Sequence, residues 1–149
     1  MQVSTFLWFD GQAEAAATHY TALFPDSKIL DTQHDADGHV ITVVFALAGQ
    51  RYVAYNGAQP YPLTGAISMY AECESQQEVD TLWTGLTDGG KEGPGGSLVD
   101  RFGVTWQVIP TTLQHLLKGA EPETAGRILA AVHAMTKIDI QGLVDARDQ

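Results

Sequence analysis

Thr5-Phe6-Leu7-Trp8-Phe9-Asp10-Gly11, followed by the helical pattern from Ala13 to Phe24, decides the fold because the chain states it twice. The second statement is Ile67-Ser68-Met69-Tyr70-Ala71-Glu72-Cys73, followed by Gln76 to Thr87. Each is an apolar run of strand length that ends in a polar break and continues with helical spacing. Each helix carries a large aromatic and then a Leu one turn on, Tyr20 with Leu23 and Trp83 with Leu86. Gly or Pro breaks and further strand-like alternation follow each helix. A tandem strand–helix–strands unit predicts two pseudo-symmetric modules with a site between them.

Working outward, Leu7 and Phe9 fall on one face of the first strand and Phe6 and Trp8 on the other. Ala16, Ala17, Tyr20, Leu23 and Phe24 make the apolar stripe of the first helix, which Pro25-Asp26-Ser27 stops. Lys28 to Asp31 begins a strand, Asp35 to Gly38 reads as a hairpin turn, and Val40 to Leu47 and Arg51 to Tyr55 complete the first module. Asn56 to Gly65, with its Pro and Gly, reads as a connector. In the second half Ala66 to Cys73 is a strand, and Ser75 with Glu78 forms a capping-box pattern. Asp88-Gly89-Gly90 ends the helix, and Gly-rich Lys91 to Ser97 reads as a loop flanked by short strand pieces. Asp100 to Gly103 is a turn, and Val104 to Ile109 is the last strand.

Beyond Pro110 the pattern turns helical. Thr111 or Thr112 is the expected cap of a short helix to Leu117; a longer one runs from Glu123 to Met135, and Ile138 to Val144 adds a turn or two. The expected organisation is one α+β domain over 1–110, with modules at about 3–56 and 66–110, and a helical extension over 111–149. The extension has no counterpart in the first half. Its apolar face must pack on its own sheet or on a second subunit.

Composition narrows the function. A net charge of −10 with eight Lys plus Arg gives no basic footprint for nucleic acid or an anionic membrane surface. The single cysteine, Cys73, excludes an internal disulfide framework and a multi-cysteine metal site. It sits at the end of an apolar strand, where a small buried thiol is the expected role. No signal peptide or membrane-length apolar run is apparent, so a soluble cytoplasmic protein is the expectation.

The residues also carry a family resemblance. Phe6-Leu7-Trp8-Phe9-Asp10-Gly11-Gln12-Ala13-Glu14, with His19-Tyr20 and Leu23-Phe24-Pro25, resembles the opening of the PhnB-like branch of the vicinal oxygen chelate superfamily, also labelled 3-demethylubiquinone 3-methyltransferase-like. Gly49-Gln50-Arg51-Tyr52, Ala54-Tyr55-Asn56-Gly57, Asp100 to Pro110 and Met135 to Ile140 extend the likeness over nearly the whole chain. The resemblance implies two tandem βαβββ modules whose strands form a U-shaped mixed sheet around a cavity, and a homodimer. Its superfamily holds glyoxalases, ring-cleaving dioxygenases, fosfomycin resistance enzymes and non-catalytic ligand binders, so fold alone selects no activity.

Metal-using members of that superfamily hold a divalent ion with His and Glu side chains that binds two neighbouring substrate oxygens. The corresponding positions here fall around Ser4 or Phe6, around Ala54 or Asn56, at Ser68 and at Gln107, and none is His, Asp, Glu or Cys. Hydroxyl and amide oxygens alone are poor ligands for first-row metals. No metal and no cofactor are therefore expected. His34 and His39 flank the Asp35–Gly38 turn, where with Asp35 and Asp37 an adventitious surface site is conceivable, although solvated turn residues are the plainer reading. His19, His115 and His133 fall on helices without a zinc-binding spacing. No GxSxG or phosphate loop is present, and Gly93-Pro94-Gly95-Gly96 reads as turn chemistry. A methyl-donor Rossmann domain needs alternating strands and helices, so the methyltransferase label is not expected to describe the activity.

What remains is a face lined by aromatic and amide groups. Phe6, Trp8, Asn56, Ser68, Tyr70 and Gln107 are the candidate ligand-binding residues, with Trp8 stacking on the ligand and Ser68, Asn56 and Gln107 fixing its polar groups. The competing reading places them in a core or a dimer contact. No catalytic constellation is evident, so enzyme status stays open. The expected function is binding of a small aromatic or oxygenated molecule without metal. The alternative is a metal-dependent lyase, isomerase or dioxygenase.

Overall fold

The computed structural model describes residues 1–149, which form two compact units, Met1–Leu63 and Thr64–Gln149. The first contains β1 (Thr5–Phe9), α1 (Ala13–Leu23), β2 (Lys28–His34), β3 (Val40–Leu47) and β4 (Gln50–Asn56). Its sheet has the order β1-β4-β3-β2, with β1 parallel to β4 and the other pairs antiparallel. The second repeats the plan with β5 (Met69–Cys73), α2 (Gln76–Thr87), β6 (Lys91–Glu92), β7 (Ser97–Val99) and β8 (Thr105–Pro110). Its order is β5-β8-β7-β6, again with one parallel pair, β5 and β8. The fold is α+β, built from tandem βαβββ modules.

Alternation decides which side of each sheet is buried. In the first unit Leu7, Phe9, Val43, Phe45, Leu47 and Ala54 are buried, and α1 covers them with Ala13, Ala16, Ala17 and Tyr20. The alanines let the helix approach closely while the Tyr20 ring fills the gap against Phe45, centroids 6.2 Å apart. In the second unit Met69, Ala71, Leu98, Trp106 and Val108 are buried, as are Val79, Leu82, Trp83 and Leu86 of α2. Ser75 caps α2 by accepting from Glu78 N–H, while the Glu78 carboxylate accepts from the N–H of Glu74, one residue further back than a standard capping box. The strand expected from Ala66 starts only at Met69, because Gly65 to Ile67 turn and leave Ile67 80% exposed.

The Asp100 turn is the one buried charged corner. Its carboxylate accepts from Phe102 N–H, Val104 N–H and Trp106 Nε1–H at 2.8–3.0 Å. Two donors from the turn and its exit and one from β8 offset the cost of burying the charge.

The extension forms α3 (Thr111–Leu117), α4 (Pro122–Ala134) and α5 (Ile140–Asp148) and belongs to the second unit. Neither Thr111 nor Thr112 caps α3: Pro110 occupies the N-cap, and the Thr111 hydroxyl bonds instead to the Cys73 carbonyl. Ile138, Leu143 and Val132 pack on Ile109 of β8, flanked by Leu113, Leu116 and Met135. The Gly-rich loop is the seat for this packing. Gly95 and Gly96 donate to the carbonyls of Met135 and Thr136 at 2.7 and 2.8 Å. A side chain at Gly96, where φ is +81°, would strike the Val108 carbonyl. Gln76 clamps the next segment, donating to Ile138 O and accepting from Ile140 N–H, and Lys137 pairs with Asp80 at 2.6 Å. The extension thus covers one end of its own sheet.

Candidate functional site

The sheet side opposite α1 is the candidate site of the first unit. Strand pairing sets its residues in three cross-strand rows. One row holds Trp8, Tyr55, Thr42 and Gln33, and the next holds Phe6, Val53, Val44 and Asp31. The third holds Arg51, Ala46 and Lys28, with Ser4 joined at its end by a 3.0 Å bond from Arg51 Nη1 to the Ser4 hydroxyl.

Its aromatic groups form one continuous patch. The Trp8 indole meets Tyr55 and Tyr61 edge-on, both with centroids at 4.8 Å, and Phe6 lies 5.6 Å from Tyr55. Phe6 is 55% exposed and Tyr61 60%. The segment after β4 holds the indole in place: Trp8 Nε1–H donates to the Gln59 carbonyl at 2.7 Å, and the ring lies flush against Gly57. A Cβ at Gly57 would stand 2.0 Å from two indole carbons, so only glycine fits beneath the ring.

Asn56 sits elsewhere. It pairs with Phe9, on the side that faces α1, and its amide is spent on backbone. Oδ1 accepts from Ala13 N–H at 2.9 Å and Nδ2 donates to Val40 O at 3.0 Å, an assignment fixed by the two partners. Gln12, at the N-cap of α1, makes no side-chain cap bond, so Asn56 supplies it from the neighbouring strand. Tyr55 is the β4 residue that reaches the aromatic face. Sequence reading missed it because Arg51-Tyr52-Val53-Ala54-Tyr55 shows no clean alternation. The pairing of Trp8 with Tyr55 is the signal that finds it.

In the second unit Tyr70 and Gln107 pair across β5 and β8 on the side opposite α2, and Ser68 lies just before β5. Tyr70 is 54% exposed, and Ser68 and Gln107 are partly so. The same side continues into Glu72 and Ile109, where the extension covers it. Gln114 of α3 donates to Glu72 at 2.6 Å. Cys73 points the other way, and burial, then the Glu78 charge, pushes its thiol up to about 11. That leaves it a poor nucleophile.

Two features gather acids instead. A broad open cleft of about 530 Å³ at the ends of β1, β3 and β4 is lined by Asp10, Glu14, Asp35 and His39 with Asn56 and Gly57. Asp35, Asp37 and His39 hold their ligand-type atoms within 4.8 Å of one another, all exposed. The Asp35 carboxylate is already committed to the turn, accepting from His39 and Asp37 N–H at 2.9 Å. Those bonds, the one from His39 N–H foremost, hold its carboxyl below the usual range. The cleft contains no large aromatic and no cation, so the sheet face, with both, is the better ligand surface.

Superfamily metals require imidazole and carboxylate donors. The positions expected for them carry the Ser4 hydroxyl, Phe6, the committed Asn56 amide, Ser68 and Gln107, so these residues do not fit such an ion.

Comparison with known proteins agrees with this architecture. The family model described as 3-demethylubiquinone-9 3-methyltransferase matches residues 1–109. A Bacillus cereus structure described as a putative 3-demethylubiquinone-9 3-methyltransferase, PhnB protein, is 30% identical over 74% of this chain and 99% of its own, with a TM-score of 0.70. A Pseudomonas aeruginosa protein is 20% identical over 74% and 97%, with a TM-score of 0.61. The Listeria monocytogenes fosfomycin resistance protein FosX, solved with Mn(II) and sulfate, shares the fold at 14% identity over 72% and 89%, with a TM-score of 0.54. No curated protein matches the chain. No helix is long and apolar enough to cross a membrane. The chain belongs to the 3-demethylubiquinone-9 3-methyltransferase family, the PhnB-like branch of the vicinal oxygen chelate superfamily.

Proposed function

We propose that the protein binds a small aromatic or oxygenated molecule on the aromatic face of its first sheet, without a metal ion. One observation carries this: Phe6, Trp8, Tyr55 and Tyr61 form a contiguous, partly exposed aromatic surface, while the centre of the other side of the same sheet is packed under α1. Left wet, such a surface costs free energy that a stacking ligand recovers. Phe6 and Tyr55 present rings to the ligand and Trp8 braces them. Tyr70 and Gln107 on the second sheet, with Ser68 just before β5, are the candidate ligand groups of the second unit taken by itself. Both sheets are mixed and lack the parallel strand–helix alternation of a methyl-donor domain, so the family's descriptive name is not extended to a methyl transfer.

The test is native mass spectrometry of freshly purified protein with and without chelator, followed by thermal shift with small aryl compounds. Expected are a twofold mass free of divalent ion, and ligand stabilisation that Trp8→Ala abolishes while the twofold mass persists. A chelator-removable ion at one per chain would instead favour the metal-dependent lyase, isomerase or dioxygenase. A Trp8→Ala protein that no longer folds would make the indole core.

A further inference from the structure

We infer that the ligand of this face is a monoanion, an aryl-bearing carboxylate, held by Arg51 and Lys28; this rests on the aromatic-face reading above. The chain has eight Lys plus Arg against eighteen Asp plus Glu. Four of the eight are ion-paired: Arg101 with Asp88, Arg127 with Glu123, Lys137 with Asp80 and Arg147 with Asp148. Of the four without a carboxylate partner, Lys28 and Arg51 stand in one row on one side of one sheet, with only Ala46 between them. In so acidic a protein, two unpaired cations flanking the smallest side chain of the row leave a gap of their own making. Strands lie about 4.8 Å apart, so the two backbones are roughly 10 Å apart, wide enough for a carboxylate to lie over Ala46 between the two heads.

The third donor is Ser4. Its hydroxyl oxygen accepts from Arg51 Nη1 at 3.0 Å, which orients the guanidinium and leaves the hydroxyl proton to donate. The free edge of the guanidinium suits a planar carboxylate. Asp31, one row away on the same side, sets the charge of the guest. Two cations against its one carboxylate leave a local excess of one positive charge, which matches a monoanion better than a phosphate. The next row lies about 7 Å along the strand direction and ends at Phe6 on β1, two strands across from Ala46 and so roughly 12 Å from a carboxylate seated there. A cinnamate-length molecule lying across Val53 carries its ring roughly 6 Å out, which leaves an ordinary ring contact of about 5–6 Å to Phe6. The charged row therefore supplies orientation and the aromatic rows supply contact area.

The experiment compares phenylacetate, 4-hydroxybenzoate and cinnamate with their primary amides, which have the same shape and no charge. Binding is followed through the Trp8 indole N–H signal in protein labelled with ¹⁵N at tryptophan, with Trp83 and Trp106 as internal controls. Carboxylates are expected to bind about tenfold tighter than amides, as a charge-assisted pair requires. Arg51→Gln should bring the carboxylate down to the affinity of its amide, and Lys28→Gln should remove part of the preference. Lys118→Gln, an equal charge change outside the face, should leave the preference intact. Melting curves establish that each variant is folded. Carboxylates and amides binding alike would overturn the anion inference and leave the aromatic face standing. A preference that survives Arg51→Gln, or falls equally with Lys118→Gln, would overturn it as well. If no compound moves the Trp8 signal, the aromatic-face reading fails and this inference falls with it.

Discussion

Replacing Asn56 by Ala separates a residue that builds the site from one that touches ligand. The substitution deletes two hydrogen bonds, to Ala13 N–H and Val40 O, each contributing about 1 kcal/mol net. It also strands the first N–H of α1, for which Gln12 makes no side-chain cap bond, and a carbonyl in partly buried surroundings. Adding the desolvation of those groups gives a loss of about 2–3 kcal/mol, or roughly 5–10 °C in Tm for a chain of this length. Asn56→Asp keeps the acceptor at the helix start, where the added charge is favourable, but turns a carboxylate toward Val40 O. It should fall between wild type and Ala. Urea unfolding with an unchanged m-value, paired with ligand titration of the folded protein, reads both quantities. Affinity should stay within about twofold, because the amide lies on the α1 side of the sheet. A wild-type Tm with a tenfold loss of affinity would refute this placement and return Asn56 to the ligand.

Three further outcomes follow from the geometry. Gly57→Ala drives a methyl into the Trp8 indole, expelling the ring and breaking its bond to Gln59 O; a loss of about 2–3 kcal/mol and a red-shifted tryptophan emission are expected, whereas unchanged emission would contradict the close contact. Cys73, buried and with its thiol pushed up to about 11, should resist a thiol reagent at pH 8 in the native protein and react in urea; rapid native labelling would place it at the surface. The Lys137 ammonium, then the Gln76 amide, holds the Asp80 carboxyl below its ordinary range. A depressed folded-state value stabilises above the unfolded value near 3.9 and is lost as pH falls through the folded one. The Tm gap between wild type and Asp80→Asn should therefore be open at pH 6 and narrow as pH falls below the unfolded value, and a gap that widens on acidification would reverse the sign.

The fold was legible and the site only partly so, for a physical reason visible in individual residues. β1 is apolar on both sides in sequence, so its facing follows from position parity alone: Leu7 and Phe9 are packed, Phe6 is exposed and Trp8 half-buried. In β4 aromatics again fall on both sides: Tyr52 has its ring stacked on Phe45 on the helix side while Tyr55 faces the other way. Asn56, a candidate ligand contact in sequence, has its amide engaged by Ala13 N–H and Val40 O, since an amide at a strand end suits a ligand contact and a helix clamp equally in sequence. The Gly93–Gly96 loop was readable as a turn but not as the seat of the C-terminal helices. Its backbone N–H groups bond residues some forty positions later, and no local pattern reports that.

Two of the motifs that carry the family likeness turn out to be construction rather than chemistry, and this bears on where function should be sought. In Ala54-Tyr55-Asn56-Gly57 the Ala is buried, the Asn clamps α1 and the Gly seats the indole; only Tyr55 reaches the aromatic face. In Asp100-Arg101-Phe102-Gly103 the Asp ties the turn to Trp106, and Arg101 pairs with Asp88 at the end of α2. Residues of this kind are fixed by the fold and would recur whatever the ligand. Selectivity must then come from positions where the fold makes no demand. On the first sheet those are Lys28, Ala46 and Arg51, whose side chains hold no α-helix and fill no core. Exchanging that row alone, by Arg51→Glu with Lys28→Glu, should lower the melting temperature by no more than about 5 °C, because Lys28 is exposed and the half-buried Arg51 gives up one hydrogen bond, to Ser4, of about 1 kcal/mol. It should also turn the preference from aryl carboxylates toward aryl amines. A collapse in stability would instead make the row part of the scaffold.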